Sequence, residues 1–270
     1  MVRITLDKPY IPIPAPVAEG LELTFDDIAN VPVADASSVS DWNTFFDLPT
    51  NGIPFTSVVV KTLYNIKYGL LYNWYAATDA RGLLPVGWRL PHDNELDAFT
   101  AQSNALREVG TEHWNAPNTG ATNEYGFNAR GSGMRNRSDG AFYNLKNYAR
   151  YWCTPIDPET TGTEAAEFLV SLTSAYLTYT NYFKYGFAVR PVKESTTLTH
   201  GQTGTYTGND GKVYRTICIG TQEWLADNLC ETKYRNGDTI PEVTDNSAWA
   251  ALTTGALCAY NNDWSNVLID

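Results

Sequence analysis

Residues 67–95 read KYGLLYNWYAATDARGLLPVGWRLPHDNE, and this stretch decides the fold. It opens with an aromatic and apolar run that is typical of strands, and it continues through a loop rich in Gly and Pro. It ends in a WRLP motif, in which we expect Trp88 to fill the core and Arg89 to form a buried ion pair. No group of catalytic side chains accompanies it, so the stretch predicts a fold and a binding role rather than a reaction.

One long helix is predicted directly after the WRLP motif, over residues 90–109. Pro91 falls in its first turn, where the missing N–H has no partner to lose, and acidic residues follow near the positive end of the helix dipole. Leu96, Phe99 and Leu106 recur at helical spacing. We therefore expect an amphipathic helix that packs its apolar side on the core.

Short strands and long loops are predicted for the rest of a main body at 61–193. Abundant Gly, Pro, Tyr and Trp favour such a fold over a helical bundle. A Gly-rich loop is expected at 120–140. Strands are predicted at 64–75, 151–154, 165–172 and 186–192.

The segments on either side of the body differ from it in composition. Residues 1–20 alternate Pro with apolar residues, which is typical of an extended arm. Residues 21–60 predict a small β-rich module for attachment or oligomerisation. Residues 194–204 are polar and predict a linker, and residues 205–270 begin a new unit whose GNDG sequence at 208–211 predicts a hairpin turn.

Charge and hydropathy exclude several classes of partner. The formal net charge of −11 repels phosphate backbones, so we expect no nucleic-acid partner. No run of about 18 apolar residues is present, so no membrane insertion is expected. The N-terminal residues lack the apolar region of a signal peptide. The expectation is a protein made in a host cytoplasm and assembled into a virion, with a bacterial cell surface as the alternative.

Catalytic and metal-binding signatures are weak, and we predict a protein that is not an enzyme and has no cofactor. The three histidines lack metal-binding spacing, and no P-loop, GxSxG or Rossmann motif occurs. Asp139 and the Asn-Asn-Asp run at 261–263 are the candidates for calcium ligands. Arg130, Arg135 and Arg137 are expected to pair with nearby carboxylates. The cysteines are expected to be reduced and buried, and they are Cys153, Cys218, Cys230 and Cys258.

Several motifs together resemble the Fibrobacter succinogenes major paralogous domain. They are YGLLYNWYA (68–76), LLPVGWRLPHDNEL (83–96), TNEYGFNA (122–129), YWCT (151–154) and GFAVRPVK (186–193). The resemblance implies kinship with C-type-lectin-like and formylglycine-generating-enzyme folds. It therefore implies an α+β, C-type-lectin-like mixed fold of short strands, one or two helices and long loops, preceded by the N-terminal attachment module.

The halves of this family pattern stand in swapped order. The opening motif resembles DGKVYRTICIGTQEWLADNL, which here occupies 210–229, and the segment that normally precedes YGLLYNWYA resembles residues 255–263. One interpretation is a circular permutant, in which residues 205–270 complete the body at 61–193 of their own chain. The alternatives are completion of a neighbouring protomer's body and a truncated second copy. We favour the first, because a lone half-fold would leave Ile217 and Trp224 poorly buried.

The best functional signal is a concentration of Tyr, Asn and Ser between residues 143 and 185. Tyr supplies contact area at low entropic cost and Asn adds adaptable hydrogen bonds, as in antibody paratopes. The resemblance to lectin-like folds places ligand-binding residues on this side of the domain. The alternative is that the tyrosines simply pack a strand pair. The predicted ligand-binding residues are Tyr148, Arg150, Tyr176, Tyr179, Asn181, Tyr182 and Tyr185, with Tyr179 and Tyr182 the pair expected to be most exposed.

These observations lead to three functional hypotheses. The first is a virion-associated adhesion protein, such as a phage fibre, that recognises a cell-surface glycan or protein and binds other virion proteins through its N-terminal arm as a homo-oligomer, here a trimer. The second is a purely structural assembly or decoration subunit, whose tyrosines bury against sister subunits. The third, which has the least support, is an oxidase of the formylglycine-generating type.

Overall fold

The computed structural model describes residues 66–156, 165–180, 182–193 and 195–268, which all belong to one unit, Tyr64–Asp270. The predictions for the arm at 1–20 and for the module at 21–60 fall outside the described residues.

The largest sheet joins a strand of the body to strands of the C-terminal segment. Its five antiparallel strands have the order β2-β8-β11-β10-β9, so β8 lies between a strand from the start of the body and one from the C-terminal segment. Val192 of β8 pairs with Arg89 on one side and with Trp224 on the other. These strands are β2 (Trp88–Arg89), β8 (Val192–Lys193), β9 (Thr203–Thr207), β10 (Val213–Ile219) and β11 (Gln222–Leu225).

A second, three-stranded antiparallel sheet forms the middle of the body. Its order is β5-β6-β7, and one of its faces packs on a core cluster that includes Leu96, Phe99 and Leu106. Two further strand pairs, β1 with β12 and β3 with β4, complete the described sheets. The bounds are β1 (Leu71–Tyr72), β3 (Ser132–Arg135), β4 (Phe142–Leu145), β5 (Tyr148–Cys153), β6 (Ala165–Ser171), β7 (Ala175–Thr180) and β12 (Leu257–Cys258).

Helices are short in the described part of the chain, which is therefore an α+β structure dominated by strands. The four α-helices exceed the one or two that were predicted. They are α1 (Trp74–Ala77), α2 (Asp93–Asp97), α3 (Ser103–Leu106) and α4 (Asn246–Ala251), and single 3-10 turns cover Tyr260–Asn262 and Trp264–Asn266.

The prediction of one helix over 90–109 is wrong, because a tertiary contact interrupts it. Ala101 adopts a left-handed φ of 63°, and its N–H donates to the carbonyl of Ala175 on β7 at 2.9 Å instead of continuing the helix. The chain therefore forms α2 and α3 as separate turns. The apolar spacing was nevertheless informative, since Leu96 and Leu106 are fully buried.

The predicted strand over 64–75 is also shorter than expected. Asn73 ends it, because its side-chain oxygen accepts the N–H groups of Ala76 and Ala256 and thereby starts α1. Its side-chain amide donates to the carbonyl of Thr254 at 2.8 Å. One buried amide thus fixes both a helix start and the approach of the C-terminal segment.

Residues of the C-terminal segment lie in the core of their own chain's body. Trp224 is 1% exposed, and its ring centroid lies 5.6 Å from that of Phe99 and 6.0 Å from that of Phe127. Ile217 belongs to the same cluster. The predicted hairpin turn at 208–211 connects β9 to β10.

Buried arginines hold the long loops through backbone carbonyls. Arg190 donates to the carbonyls of Phe127 and Leu225 and to the side chain of Asn228, and burial lowers its pKa. Arg135 donates in the same way to the carbonyls of Gly140, Val243 and Thr244. Loops outside helices and sheets leave carbonyls without partners, and an arginine with five N–H donors can satisfy several at once.

Carboxylate partners were expected for Arg130, Arg135 and Arg137, and only some of these pairs are present. Arg130 pairs with Glu108 at 2.7 Å, as predicted. Arg135 instead bonds carbonyls, so that prediction was wrong. The ion pair of Arg89 is present, with Glu95 at 2.6 Å, but it is partly exposed rather than buried as predicted. All four cysteines are free thiols and buried, as expected.

Replacing Trp224 by Ala should destabilise the protein by about 3–5 kcal/mol, because it leaves a large cavity between Phe99 and Phe127. Urea unfolding followed by tryptophan fluorescence and circular dichroism measures this. The matched control is Trp264→Ala, which removes a tryptophan that is 44% exposed and should cost less than about 1 kcal/mol. Equal effects of the two substitutions would mean that the C-terminal segment does not build the core.

Candidate functional site

One face of the β5-β6-β7 sheet carries three of the predicted ligand-binding residues. Side chains alternate between faces along a strand, so Tyr148 and Arg150 of β5 share a face. Arg150 and Tyr176 of β7 pair with Leu169 of β6 from opposite sides, which places Tyr176 on that face as well. Tyr176 is 46% exposed. The opposite face packs on the cluster that includes Leu96 and Phe99. On the face of Arg150 itself, Trp152 and Leu169 are also buried, so only part of that face is exposed.

The segment after β7 brings two more tyrosines to this face. The rings of Tyr182 and Tyr185 meet edge to face, with centroids 6.4 Å apart. Tyr185 stacks on Phe187 at 5.3 Å and 12°, and the guanidinium of Arg150 lies 5.8 Å from the Phe187 ring. A continuous chain of ring contacts therefore links Tyr182 to the strand β5.

Arg137, from the turn between β3 and β4, closes this group of side chains. Its guanidinium carbon lies 3.5 Å from the ring centroid of Tyr182 and 5.9 Å from that of Tyr185. Arg150 makes a similar contact with Tyr148, at 5.4 Å. Arg137 was expected to pair with a carboxylate, but no described carboxylate bonds to it. Its spacing from Tyr182 in the sequence gives no signal of the ring contact. We call the group the aromatic–arginine face, consisting of Arg137, Tyr148, Arg150, Tyr176, Tyr182, Tyr185 and Phe187.

A buried carboxylate fixes the position of Arg150 within the aromatic–arginine face. Glu167 of β6 is 4% exposed and accepts a hydrogen bond from Nη1 of Arg150 at 2.5 Å. Burial raises the pKa of Glu167, and the charge of Arg150 opposes this shift. The pair makes Arg150 a rigid part of the surface rather than a mobile side chain.

Two predicted residues do not join the aromatic–arginine face. Tyr179 is 52% exposed, as expected, but it stands on the opposite side of the sheet, because it pairs with Ala166 of the core-packed face. Its hydroxyl donates to Asp93 at 3.0 Å, and that hydrogen bond raises the pKa of Tyr179 to about 12. Asn181 lies outside the described residues.

A groove adjoins the segment that carries Tyr182. It has a volume of about 370 Å³ and is lined in part by Tyr75, Asp79, Arg81 and Thr254. The ring of Tyr75 meets that of Phe183 edge to face at 5.9 Å, which brings the groove next to the aromatic–arginine face. An extended ligand could therefore contact both.

Two of the candidate calcium ligands, Asp139 and Asp263, make local hydrogen bonds. Asp139 accepts hydrogen bonds from the Ala141 N–H and the Tyr143 hydroxyl, and Asp263 accepts one from the Ser265 N–H. Within 66–156, 165–180, 182–193 and 195–268, no group of three or more His, Cys, Asp or Glu side chains could hold a metal ion. In the same ranges, none of the helices has the length and apolar character needed to cross a bilayer.

The carboxyl group of Glu231, which lies outside the aromatic–arginine face, has a raised pKa like that of many catalytic acids, but solvent does not reach it. Glu231 is completely buried and accepts hydrogen bonds from the Tyr214 hydroxyl at 2.6 Å and from the Asp210 N–H at 2.9 Å. Burial raises the pKa of Glu231 to about 7. A side chain at Gly208 would collide with this carboxyl group, so the hairpin turn seals it from solvent. We assign it to the stability of the fold.

Comparison with known families identifies this α+β domain. The family model described as the Fibrobacter succinogenes major domain matches residues 53–193, which is just over half of the chain. The chain belongs to this family. Comparisons with curated proteins and with solved structures give no match.

Glu231→Gln should change the pH dependence of stability. A carboxyl group whose pKa rises from 4.5 in the unfolded chain to about 7 in the fold stabilises the protein below pH 4.5, and this contribution is lost as the pH rises towards 7. Relative to the variant, the wild-type free energy of unfolding should fall by about 2–3 kcal/mol between pH 5 and pH 8. Urea titrations at both pH values measure it.

A second variant tests the same assignment. The Tyr214 hydroxyl lowers the pKa of Glu231, so in Tyr214→Phe the loss of stability should begin at the same pH but continue to a higher pH. A difference between wild type and Glu231→Gln that does not vary with pH would show that Glu231 titrates like an exposed carboxyl group.

Proposed function

We propose that this protein is a non-enzymatic binding protein that recognises a cell-surface saccharide through the aromatic–arginine face. The observation that carries the proposal is the stack of Arg137, Tyr182 and Tyr185 beside a rigid sheet. Partly exposed tyrosines offer flat apolar area together with a polar hydroxyl, and they lose little entropy on binding. The C–H face of a sugar ring packs on such rings, and the adjacent guanidinium groups donate hydrogen bonds to its oxygens.

The fold proposed for this binding face is C-type-lectin-like and circularly permuted. What supports the permutation is the position of the two segment ends. Ile66 and Leu268 form an antiparallel bridge, and the Lys67 N–H donates to the Val267 carbonyl at 2.8 Å. A short linker could therefore join residue 268 to residue 66 and restore the order of the family pattern, as expected for domains with adjacent termini.

We further propose that the domain is displayed on a virion. This part of the proposal rests on the sequence alone. The Pro-rich arm at 1–20 and the module at 21–60 would attach the domain to a particle as a trimer, with a bacterial surface as the alternative setting. The competing function is a structural subunit whose exposed tyrosines, Tyr176 and Tyr182, bury against sister subunits. The substitution Tyr182→Ala separates the two functions.

Tyr182→Ala should weaken saccharide binding at least tenfold, because it removes both a stacking surface and the support of Arg137. Tyr179→Ala is the matched control, since Tyr179 is similarly exposed but lies on the other side of the sheet, and it should change binding less than twofold. A glycan microarray followed by titration calorimetry on the strongest hits measures both effects, with light scattering to follow the oligomeric state. Absence of any glycan binding, together with loss of assembly in Tyr182→Ala, would establish the structural subunit instead.

Reordering the chain tests the permutation. A variant that runs 195–268, a short Gly-Ser linker and 66–194 should fold like a control that covers 66–270 in the natural order. We expect the same near-ultraviolet circular dichroism and a Tm within about 5 °C, which corresponds to a change of one or two kcal/mol in a domain of this size. An unfolded reordered chain beside a folded control would contradict the proposed permutation.

A further inference from the structure

Arg137 differs from Arg135 and Arg150 in the hydrogen bonds that its guanidinium makes. Arg135 donates to three carbonyls and Arg150 to Glu167, whereas no hydrogen bond or ion pair joins the guanidinium of Arg137 to any described residue. Its Nε is buried and has no acceptor in 66–156, 165–180, 182–193 or 195–268. Removing a charged donor from water without a partner is unfavourable, so this group is arranged for an acceptor that the described residues do not supply.

The contact with Tyr182 fixes where such an acceptor would lie. At 3.5 Å from the ring centroid, the guanidinium rests on the face of the tyrosine, so its N–H groups cannot use that face and are directed to its edges. A planar guanidinium held in one orientation matches a group with two oxygens, such as a carboxylate or a sulfate, through paired hydrogen bonds. The preorganised fork loses little further entropy on binding.

The neighbouring rings indicate what the acidic group is attached to. Tyr185 lies 5.9 Å from the Arg137 guanidinium and 6.4 Å from the Tyr182 ring, so flat aromatic surface and positive charge occur within the span of one sugar unit. In a uronate or a sialic acid the carboxylate is bonded directly to the sugar ring. An acidic peptide side chain would satisfy the arginine but would leave the flat surface without a matching partner.

From these contacts we infer that the ligand is an acidic saccharide, whose carboxylate or sulfate binds Arg137 while its ring packs on Tyr182 and Tyr185. The inference rests on the proposed saccharide-binding function and narrows it to one chemical class. A net charge of −11 disfavours general attraction of anions, so the recognition must come from this local site.

Matched pairs of probes test the inference with the full-length protein. The pairs are oligogalacturonate and its methyl ester, 3′-sialyllactose and lactose, and galactose 6-sulfate and galactose. In at least one pair, calorimetry should give a Kd for the acidic member at least about tenfold lower than for its neutral parent, and salt should reduce the difference. Arg137→Gln should bring the ratio close to one while binding of the neutral parent persists, which also shows that the variant is folded.

Two further variants sharpen the result. Arg137→Lys keeps the charge but loses the planar fork, and it should retain only part of the preference. Lys233→Gln removes an exposed cation outside the aromatic–arginine face and should leave the ratio unchanged.

One outcome would overturn the inference alone, and a different one would overturn the proposed function as well. If the neutral parents bind as tightly as the acidic members, the protein binds saccharides but the inference is wrong. If no saccharide binds, both are wrong. If an oligoglutamate peptide binds in an Arg137-dependent manner while every saccharide fails, the arginine serves an acidic protein partner instead.

Discussion

The pairing of the two-residue strand Val192–Lys193 with strands on both sides is the constraint on which the described structure depends. Trp88–Arg89 comes from the middle of the chain and Gln222–Leu225 from the C-terminal segment, and β8 is the strand that connects them. The side chain of Trp224, which pairs with Val192, then fills the space between Phe99 and Phe127. Short strands contribute few hydrogen bonds, so this junction depends on the aromatic packing beneath it.

Long loops require a second kind of support, which the buried arginines provide. Arg190 donates to the carbonyl of Phe127 and Arg135 to that of Thr244, both in loops, and the two arginines bring together segments that are far apart in the sequence. A chain with few helical turns thereby keeps its irregular backbone in one arrangement. The same chemistry explains why Arg137 is exceptional, since it has the donors but no acceptor within the described part of the chain.

The aromatic–arginine face combines a rigid base with side chains from loops. Arg150 and Tyr148 project from β5, an outer strand of an antiparallel sheet, and Glu167 holds Arg150 in place. Arg137 and Tyr182 come from turns and are fixed by stacking on one another. Binding sites are commonly built in this way, with variable loops positioned by a stable scaffold.

The sequence alone predicted the family, the α+β class, the hairpin turn at 208–211, the ion pair of Arg89 and the burial of the cysteines, because each depends on local patterning or on motifs within a few residues. It also contained a signal that was missed. Tyr176 and Tyr179 are three positions apart, and an odd spacing on one strand places two side chains on opposite faces.

The split of the predicted helix and the make-up of the candidate site were decided only by the tertiary structure. A hydrogen bond from Ala101 to Ala175 split the predicted helix, and the stack of Arg137 on Tyr182 formed across 45 residues of chain. Periodicity reports which side of an element is apolar, but it does not report which distant backbone or ring will meet it. For that reason the core residues could be predicted from the sequence, whereas the composition of the candidate site depended on contacts between separate loops.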